Sequence, residues 1–248
     1  AAAIALPDAP HLKLQQDAAM SLYTTMRIGG PADYLVRAGT TDDIAHATRW
    51  AKDQGLPVTV IGGGSNLLVD DGGIRGLVVV ARTPGERAEQ LLDVEDEGDT
   101  VLLTVGAHAP LSWLGRYAAE RGWAGMDWGV GLPGQVGGAT VNNAGAHGTE
   151  MKDHLVALDI LHESGEVTRE DVAWLQPSYR MTRIKGQPRP RPWTVLRPVL
   201  RLPKLQLSFA PMSTRSSAAA PSPPGLAPAR SSPTRRAISP PAWSRRQG

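Results

Sequence analysis

The sequence predicts an α/β protein with mixed strands, organised around two glycine-rich loops. Runs of β-branched and apolar residues alternate with segments whose apolar residues recur at helical spacing. Two further pairs of such runs are separated by short polar turns, which is typical of β-hairpins. Glycines cluster at residues 62–64 and again across residues 125–148. The 248 residues are enough to bury a substantial core in one large domain or two smaller ones.

The first part of the chain has the pattern strand, helix, strand. Residues 34–37 (YLVR) predict a short strand. Thr40 and Asp43 have the spacing of a capping box, and the apolar residues that follow predict a helix that ends at Gly55. Residues 57–61 (PVTVI) predict the next strand. The first glycine cluster therefore begins where a strand ends.

The remaining elements follow from the same two periodicities. An acidic turn (EDEGD) and a second polar turn (ESGE) each lie between two apolar runs, so each predicts a hairpin. The glycine-rich segment 125–148 is too apolar for a linker and is expected to be a second loop that carries ligand contacts. The expected elements are a strand at 77–81, a hairpin that pairs 91–94 with 101–105, a helix at 111–121, and a hairpin that pairs 156–161 with the segment around Val167.

Charge and composition exclude several classes of partner. Residues 201–248 contain eight Lys or Arg, nine Pro and no acidic residue, whereas residues 1–200 contain 18 basic and 24 acidic residues. The body is therefore mildly acidic, which argues against a nucleic-acid partner. There is no Cys, and the six His are scattered without the spacing of metal ligands, so no metal site is expected. No basic leader or long apolar run is present, so we expect a cytoplasmic protein without a membrane partner.

The glycine run at 62–64 has two interpretations. Consecutive main-chain N–H groups can form a concave site for an anion, and Ser65 and Asn66 add side-chain donors. A tight turn between two buried elements is the alternative. Three glycines exceed what one turn requires, which favours the ligand site.

Two familiar nucleotide motifs are not supported. Residues 129–134 match G-x-G-x-x-G, but no clear strand precedes them, Pro133 lies inside the motif, and the acidic residue expected about 20 positions later is missing. A phosphate-binding P-loop is excluded because no Gly-Lys-Ser/Thr follows residues 62–64.

Four blocks together resemble one enzyme family. They are TTMRIGGPADYLV (24–36), VIGGGSNLLVDDGGIRGLVV (60–79), GLPGQVGGATVNNAGAHGTEMKD (131–153) and SYRMTRIK (178–185). In order and spacing they are similar to the UDP-N-acetylenolpyruvoylglucosamine reductases, flavoenzymes of peptidoglycan precursor synthesis. The resemblance covers about residues 20–200. It implies a vanillyl-alcohol-oxidase (PCMH) type FAD-binding fold of two subdomains, at about 20–82 and 83–200, with residues 1–19 as an N-terminal segment.

The resemblance also implies the cofactor-binding residues. The first loop would hold the FAD diphosphate through Gly62, Gly63, Gly64, Ser65 and Asn66. The second loop would line the flavin and the rest of the dinucleotide, because glycine lets the backbone approach a flat ring closely. Its expected contacts are Pro133, Gly134, Gly137, Gly138, Ala139, Asn143 and Gly145.

The implied reaction uses NADPH to reduce FAD, which then passes hydride to the enolpyruvyl group of a UDP-sugar. Arg180 matches the family's catalytic arginine, which would hold the charge that develops on the substrate carboxylate. Tyr179 would contact the same substrate. Taken alone, the dipeptide favours a surface salt-bridge arginine, and Tyr179 could simply be a packed aromatic. The register of the four blocks reverses this preference for Arg180. Thr182 and Ile184 depart modestly from the family's usual Ser and Phe. We expect a monomer with this small-molecule substrate.

The family pattern stops near residue 200. The family's third domain carries a Ser general acid and a C-terminal Glu, and neither block is present in residues 201–248, whose composition predicts a disordered tail. The hypothesis is a frameshift near 201–206, because residues 229–235 and 241–248 permit both blocks in another reading frame. A lineage-specific tail is the alternative. The nucleotide sequence of codons 200–230 decides between them. We therefore expect this chain to bind FAD but to have impaired reductase activity.

Two other functions remain open. Another FAD oxidoreductase of the same superfamily, for example an oxidase, would often hold its flavin covalently through His or Cys. There is no Cys, and no His lies beside residues 62–66. A non-catalytic nucleotide-binding module is the second alternative, with the basic tail as an interaction arm.

Overall fold

A computed structural model describes residues 4–82, 85–188, 191 and 193–205. The predicted tail after residue 205, with the frameshift hypothesis for it, lies outside the described residues. The α-helices are α1 (Thr41–Asp53), α2 (Leu111–Glu120), α3 (Val136–Val141) and α4 (Val172–Leu175). The strands are β1 (Ile4–Leu6), β2 (Ala9–Ala19), β3 (Pro31–Ala38), β4 (Val58–Ile61), β5 (Ile74–Ala81), β6 (Leu92–Asp96), β7 (Thr100–Val105), β8 (Gly145–Ala146), β9 (Thr149–Glu150), β10 (Leu155–His162), β11 (Val167–Asp171) and β12 (Trp193–Pro203).

The first sheet contains the strands of residues 4–81 in the order β1-β2-β3-β5-β4. Strands β3 and β4 both pair with β5 in parallel, whereas β1, β2 and β3 pair antiparallel. Helix α1 connects β3 to β4 and packs its buried face on this sheet. Both halves of the predicted capping box are present, since Asp43 N–H donates to Thr40 Oγ1 and the Thr40 N–H donates to Asp43 Oδ2. The predicted strand–helix–strand segment therefore forms, with β5 inserted between its two strands.

The second sheet contains strands from residues 92–203 in the antiparallel order β11-β10-β12-β7-β6. Both predicted hairpins are present, β6 with β7 and β10 with β11. Helices α2 and α3 cover one face and share a core with buried Leu103, Leu114 and Leu158. Leu161 and Leu196 belong instead to the core around α1, so side chains of the second sheet pack into the first part of the fold.

The larger differences from the sequence prediction concern four elements. Strands β1 and β2 were missed, and they place residues 4–19, set apart in the sequence as an N-terminal segment, in the first sheet. Strand β12 was also missed. It lies at the centre of the second sheet and continues past residue 200 to Pro203. Helix α3 lies within the glycine-rich segment that was expected to be a loop.

Candidate cofactor site

A cavity of about 600 Å³ lies between the first glycine loop and the second. One wall is β4 with the residues that follow it, and the opposite wall is the segment 132–144 with α3. Its volume is within the range of small-molecule and cofactor sites. The two loops that the sequence singled out therefore face one space.

The first loop, residues 62–66, lines this cavity with its main chain. Gly64 has φ +68°, and a Cβ there would overlap the backbone carbonyl of Tyr23. The loop is anchored from the same side, because the Thr25 N–H donates to Gly64 O at 3.2 Å. Among the described residues, no hydrogen-bond acceptor is present for the main-chain N–H of Gly62, Gly64, Ser65 or Asn66. Polar backbone groups left without partners in a cavity wall are suited to an anionic ligand.

One amide of this loop is already occupied. The Gly63 N–H donates to Gln135 Oε1 at 2.5 Å, and Gln135 leaves no room for a Cβ at Gly62. A second link joins Asn66 Nδ2 to Asn142 Oδ1 at 3.4 Å. The two walls of the cavity are thus connected by side chains from the second loop, which the sequence did not indicate.

The second loop places five of its seven predicted residues in the cavity wall. Two adjacent glycines of α3 differ in what surrounds them. A Cβ at Gly137 would lie 2.6 Å from Ala107 Cβ, whereas a Cβ at Gly138 would meet no atom within 4 Å. Close packing against Ala107 explains why residue 137 is a glycine, whereas the space beside Gly138 is open to a ligand. The five residues are Pro133, Gly134, Gly137, Gly138 and Ala139.

The other two predicted residues of this loop do not line the cavity. Asn143 is 1% exposed, and its Nδ2 donates to Glu150 Oε2 and to Ser178 O at 3.0 and 2.9 Å. Its Oδ1 accepts from the Lys152 N–H at 3.0 Å, so its side chain fixes the loop around it. A Cβ at Gly145 would overlap the backbone of the paired strand β9. Contacts within the protein therefore explain the residue type at both positions, without a ligand.

Arg180 lines the cavity, and Tyr179 beside it does not. The Arg180 Nη2 donates to Gly145 O at 2.7 Å, so the guanidinium is held in place while its other N–H groups remain available. Its backbone has φ 55°, in a turn closed by hydrogen bonds between Ser178 and Met181 in both directions. Tyr179 is 78% exposed, and the Arg180 guanidinium lies 5.6 Å from its ring. A left-handed arginine at a cavity is a feature of functional sites.

The cavity wall is positively charged. Lys185 and Arg191 line it with Arg180, and the described lining residues include no Asp or Glu. Lys185 Nζ donates to the Arg180 carbonyl at 2.6 Å, which keeps the two cations on the same side of the cavity. Sequence reasoning did not select Lys185, Arg191, Gln135 or Asn142 as site residues. Lys185 lay inside a matched block, but nothing in its spacing marked it as a lining residue.

A diphosphate-containing ligand fits this arrangement. Free main-chain amides, fixed cations and an otherwise mostly apolar lining with Leu111, Leu132 and Trp193 match a ligand with an anionic bridge and flat rings. Among the residues that the structure describes, no cluster of three or more His, Asp or Glu is arranged to hold a metal ion. In the described part of the chain, no helix has the length and apolar character needed to cross a bilayer.

The cavity between the two glycine-rich loops has the features expected of a site for a large anionic ligand. A family model described as FAD binding domain matches residues 32–171, which is more than half of the chain. The chain belongs to this family.

Its curated relatives carry one name. The UDP-N-acetylenolpyruvoylglucosamine reductase of Synechococcus sp. (strain JA-3-3Ab) is 40% identical over 190 residues, covering 77% of this chain and 57% of the relative. That of Gloeobacter violaceus is also 40% identical over 190 residues, covering 77% of this chain and 60% of the relative. The resemblance drawn from the four sequence blocks is confirmed. The chain spans about three fifths of the length of these relatives.

Solved structures give the same assignment of the fold. UDP-N-acetylenolpyruvylglucosamine reductase from Thermus caldophilus superposes with a TM-score of 0.58 at 32% identity, over 78% of this chain and 62% of that one. A solvent-stable cholesterol oxidase has a TM-score of 0.56 at 14% identity, over 82% of this chain and 40% of the oxidase, a likeness of fold alone. The predicted FAD-binding fold of the vanillyl-alcohol-oxidase type is confirmed.

Proposed function

We propose that the cavity binds FAD with its diphosphate on the first loop and its flavin ring along the second. The observation that carries this proposal is that the described part of the chain provides no acceptor for the amides of Gly62, Gly64, Ser65 and Asn66. Amide donors that are already held in a cavity wall require little reorganisation when an anion binds. The open space over Gly138 supports a ring lying against α3.

We infer that the parent reaction reduces the enolpyruvyl group of a UDP-sugar, with NADPH as the hydride donor. The names of the curated relatives support the substrate class. When bound, FAD supplies hydride transfer, whereas the protein supplies orientation and charge. Arg180 is the proposed catalytic residue, because it lines the cavity and its anchor on Gly145 O fixes one edge of the guanidinium. The other edge can hold a substrate carboxylate as charge accumulates there.

The 248-residue polypeptide is proposed to bind FAD and to turn over the UDP-sugar poorly. The described residues include both cavity walls and Arg180, so the proposed flavin contacts lie within the described part of the chain. The Ser and Glu blocks that the family resemblance implies are not present in residues 201–248. A proton donor accounts for a rate factor of about 10² to 10⁴, so turnover without one falls by at least that factor.

An absorbance scan of the purified chain tests the flavin assignment. Flavin absorbance near 450 nm, lost on addition of NADPH under anaerobic conditions, is the expected result. Release of the flavin on acid precipitation separates this assignment from an oxidase with a covalent cofactor. A protein that neither carries flavin nor takes it up from added FAD contradicts the proposal. Robust turnover of the UDP-sugar contradicts only the proposed impairment.

The expected monomeric state, cytoplasmic location, and lack of nucleic-acid and membrane partners stand as predictions. The 20–82 and 83–200 subdomain boundaries and the roles of the individual site residues also stand as predictions, including Tyr179 at the substrate.

A further inference from the structure

Gln135 contacts the first loop where a ligand oxygen is expected. Its Oε1 accepts from the Gly63 N–H at 2.5 Å and lies against the Gly62 Cα, where a Cβ would overlap it. The residue lines the cavity. It is also the residue that precedes α3, but its side chain makes no capping hydrogen bond to that helix. Its side chain is therefore directed at the loop and contributes no cap to α3.

The chemistry of the contact matches that of a phosphate oxygen. A carboxamide oxygen and a phosphate oxygen are both acceptors, and each can pair with the same main-chain N–H. A hydrogen bond to a charged acceptor is about twice as strong as one to a neutral acceptor. A diphosphate can therefore displace the carboxamide, but it loses part of its binding energy in breaking an existing bond.

We propose that Gln135 occupies the diphosphate position on Gly63 in the flavin-free protein and lowers the affinity for FAD by competing for that amide. This inference rests on the proposed function of the first loop as the diphosphate site. It adds a residue that sets cofactor affinity, with the FAD diphosphate as the competing ligand. Flavins without phosphate do not compete for Gly63 and are insensitive to Gln135.

A structural link between the loops is the competing explanation. If Gln135 only holds the two walls together, its removal loosens the site and weakens every flavin. The Asn66–Asn142 hydrogen bond offers a control. Asn142→Ala also breaks an inter-loop link, and it removes the Asn142 Nδ2 bond to Gly138 O, but it frees no main-chain amide. The two explanations therefore predict opposite changes for Gln135→Ala.

Titration of flavin-free protein with FAD and with riboflavin, followed by flavin fluorescence, separates them. For Gln135→Ala we expect FAD to bind about two- to tenfold more tightly, the factor that corresponds to one net hydrogen bond. Riboflavin affinity should stay within about twofold, and Asn142→Ala should not tighten FAD. Unchanged or weaker FAD binding by Gln135→Ala, in a variant whose thermal unfolding matches wild type, overturns the inference.

Amide exchange at Gly63 provides a second readout that needs no ligand. The Gly63 N–H should exchange with solvent faster in flavin-free Gln135→Ala than in wild type, because its acceptor has been removed. Equal exchange rates mean that the hydrogen bond is not formed in solution and overturn the inference. Wild-type protein that binds no FAD contradicts the proposed function as well, whereas wild-type binding without tightening by Gln135→Ala contradicts the inference alone.

Discussion

Substitution of Gly138 by alanine should separate cofactor affinity from protein stability. Gly138 lies in α3 and is exposed at the cavity wall, and its φ is not in the left-handed region. A methyl group there meets no protein atom within 4 Å. Alanine in place of glycine inside a helix stabilises by about 0.5–1 kcal/mol. The flavin-free variant should therefore unfold at an unchanged or slightly higher temperature.

FAD binding should change in the opposite direction. If the flavin lies against the Gly138 backbone, the added methyl occupies space that the ring needs. Overpacking by one methyl group costs about 1–3 kcal/mol, which corresponds to a loss of about 5- to 150-fold in affinity. Fluorescence titration with FAD measures this change in affinity, and thermal unfolding of the flavin-free protein measures the change in stability.

Gly131→Ala is the matched control. Gly131 is also exposed, a Cβ there also meets no atom within 4 Å, and the residue does not line the cavity. Its FAD affinity should equal that of wild type. Wild-type FAD affinity in Gly138→Ala would refute the placement of the flavin against α3. A large loss of stability in Gly138→Ala would show that the protein has no room for a methyl group at residue 138.

Three further predictions concern the first loop, a buried histidine and the cavity arginine. Gly64→Ala should lower the free energy of unfolding by more than about 2 kcal/mol, because residue 64 has φ +68° and an added Cβ would overlap the Tyr23 carbonyl. Chemical denaturation measures this change, and a denaturation midpoint equal to that of wild type would contradict it. Burial lowers the pKa of His108, and this effect is partly opposed by the Gly39 backbone carbonyl and by the charge of Asp43. Stability should therefore fall as pH drops below about 6.5, where the unfolded chain takes up a proton and the folded chain does not. His108→Leu should flatten the profile of unfolding free energy between pH 7 and 5, and an unchanged slope would show that this histidine is not its source. Arg180→Lys should keep FAD affinity within about threefold of wild type. In any form of the protein with measurable turnover, it should lower the rate on the UDP-sugar at least about tenfold, because Lys cannot hold a carboxylate bidentately. Equal steady-state rates would show that Arg180 does not act in the reaction.

The elements that the sequence predicted are those whose stabilising interactions are local. Thr40 and Asp43 satisfy each other across one helical turn, so their spacing was sufficient to place the start of α1. Each predicted hairpin brings together strands that a short turn already joins. Strand β12 was missed because Pro198 interrupts its pattern, and proline is uncommon inside a sheet. Register shifts between β10 and β12 lie on both sides of that position.

Helix α3 and the cavity residues depend on distant contacts. Gly137 and Gly138 have low helix propensity, so the local sequence favours a loop. At the start of the helix, the Val136 and Gly137 amides donate to the carbonyls of Ala109 and Ala107, respectively. These partners lie about 30 residues earlier in the chain, so the local sequence does not indicate them. The glycine loops were recognisable because glycine itself is the signal. Gln135 was not recognised, because its contact with Gly63 joins residues 72 positions apart.

A crystal structure of the chain with FAD tests the central claim most directly. We predict diphosphate oxygens within about 3 Å of at least two main-chain nitrogens among residues 62–66, at hydrogen-bonding distance. A diphosphate bound elsewhere in the cavity, with those amides still unpartnered or bonded only to protein, would contradict it.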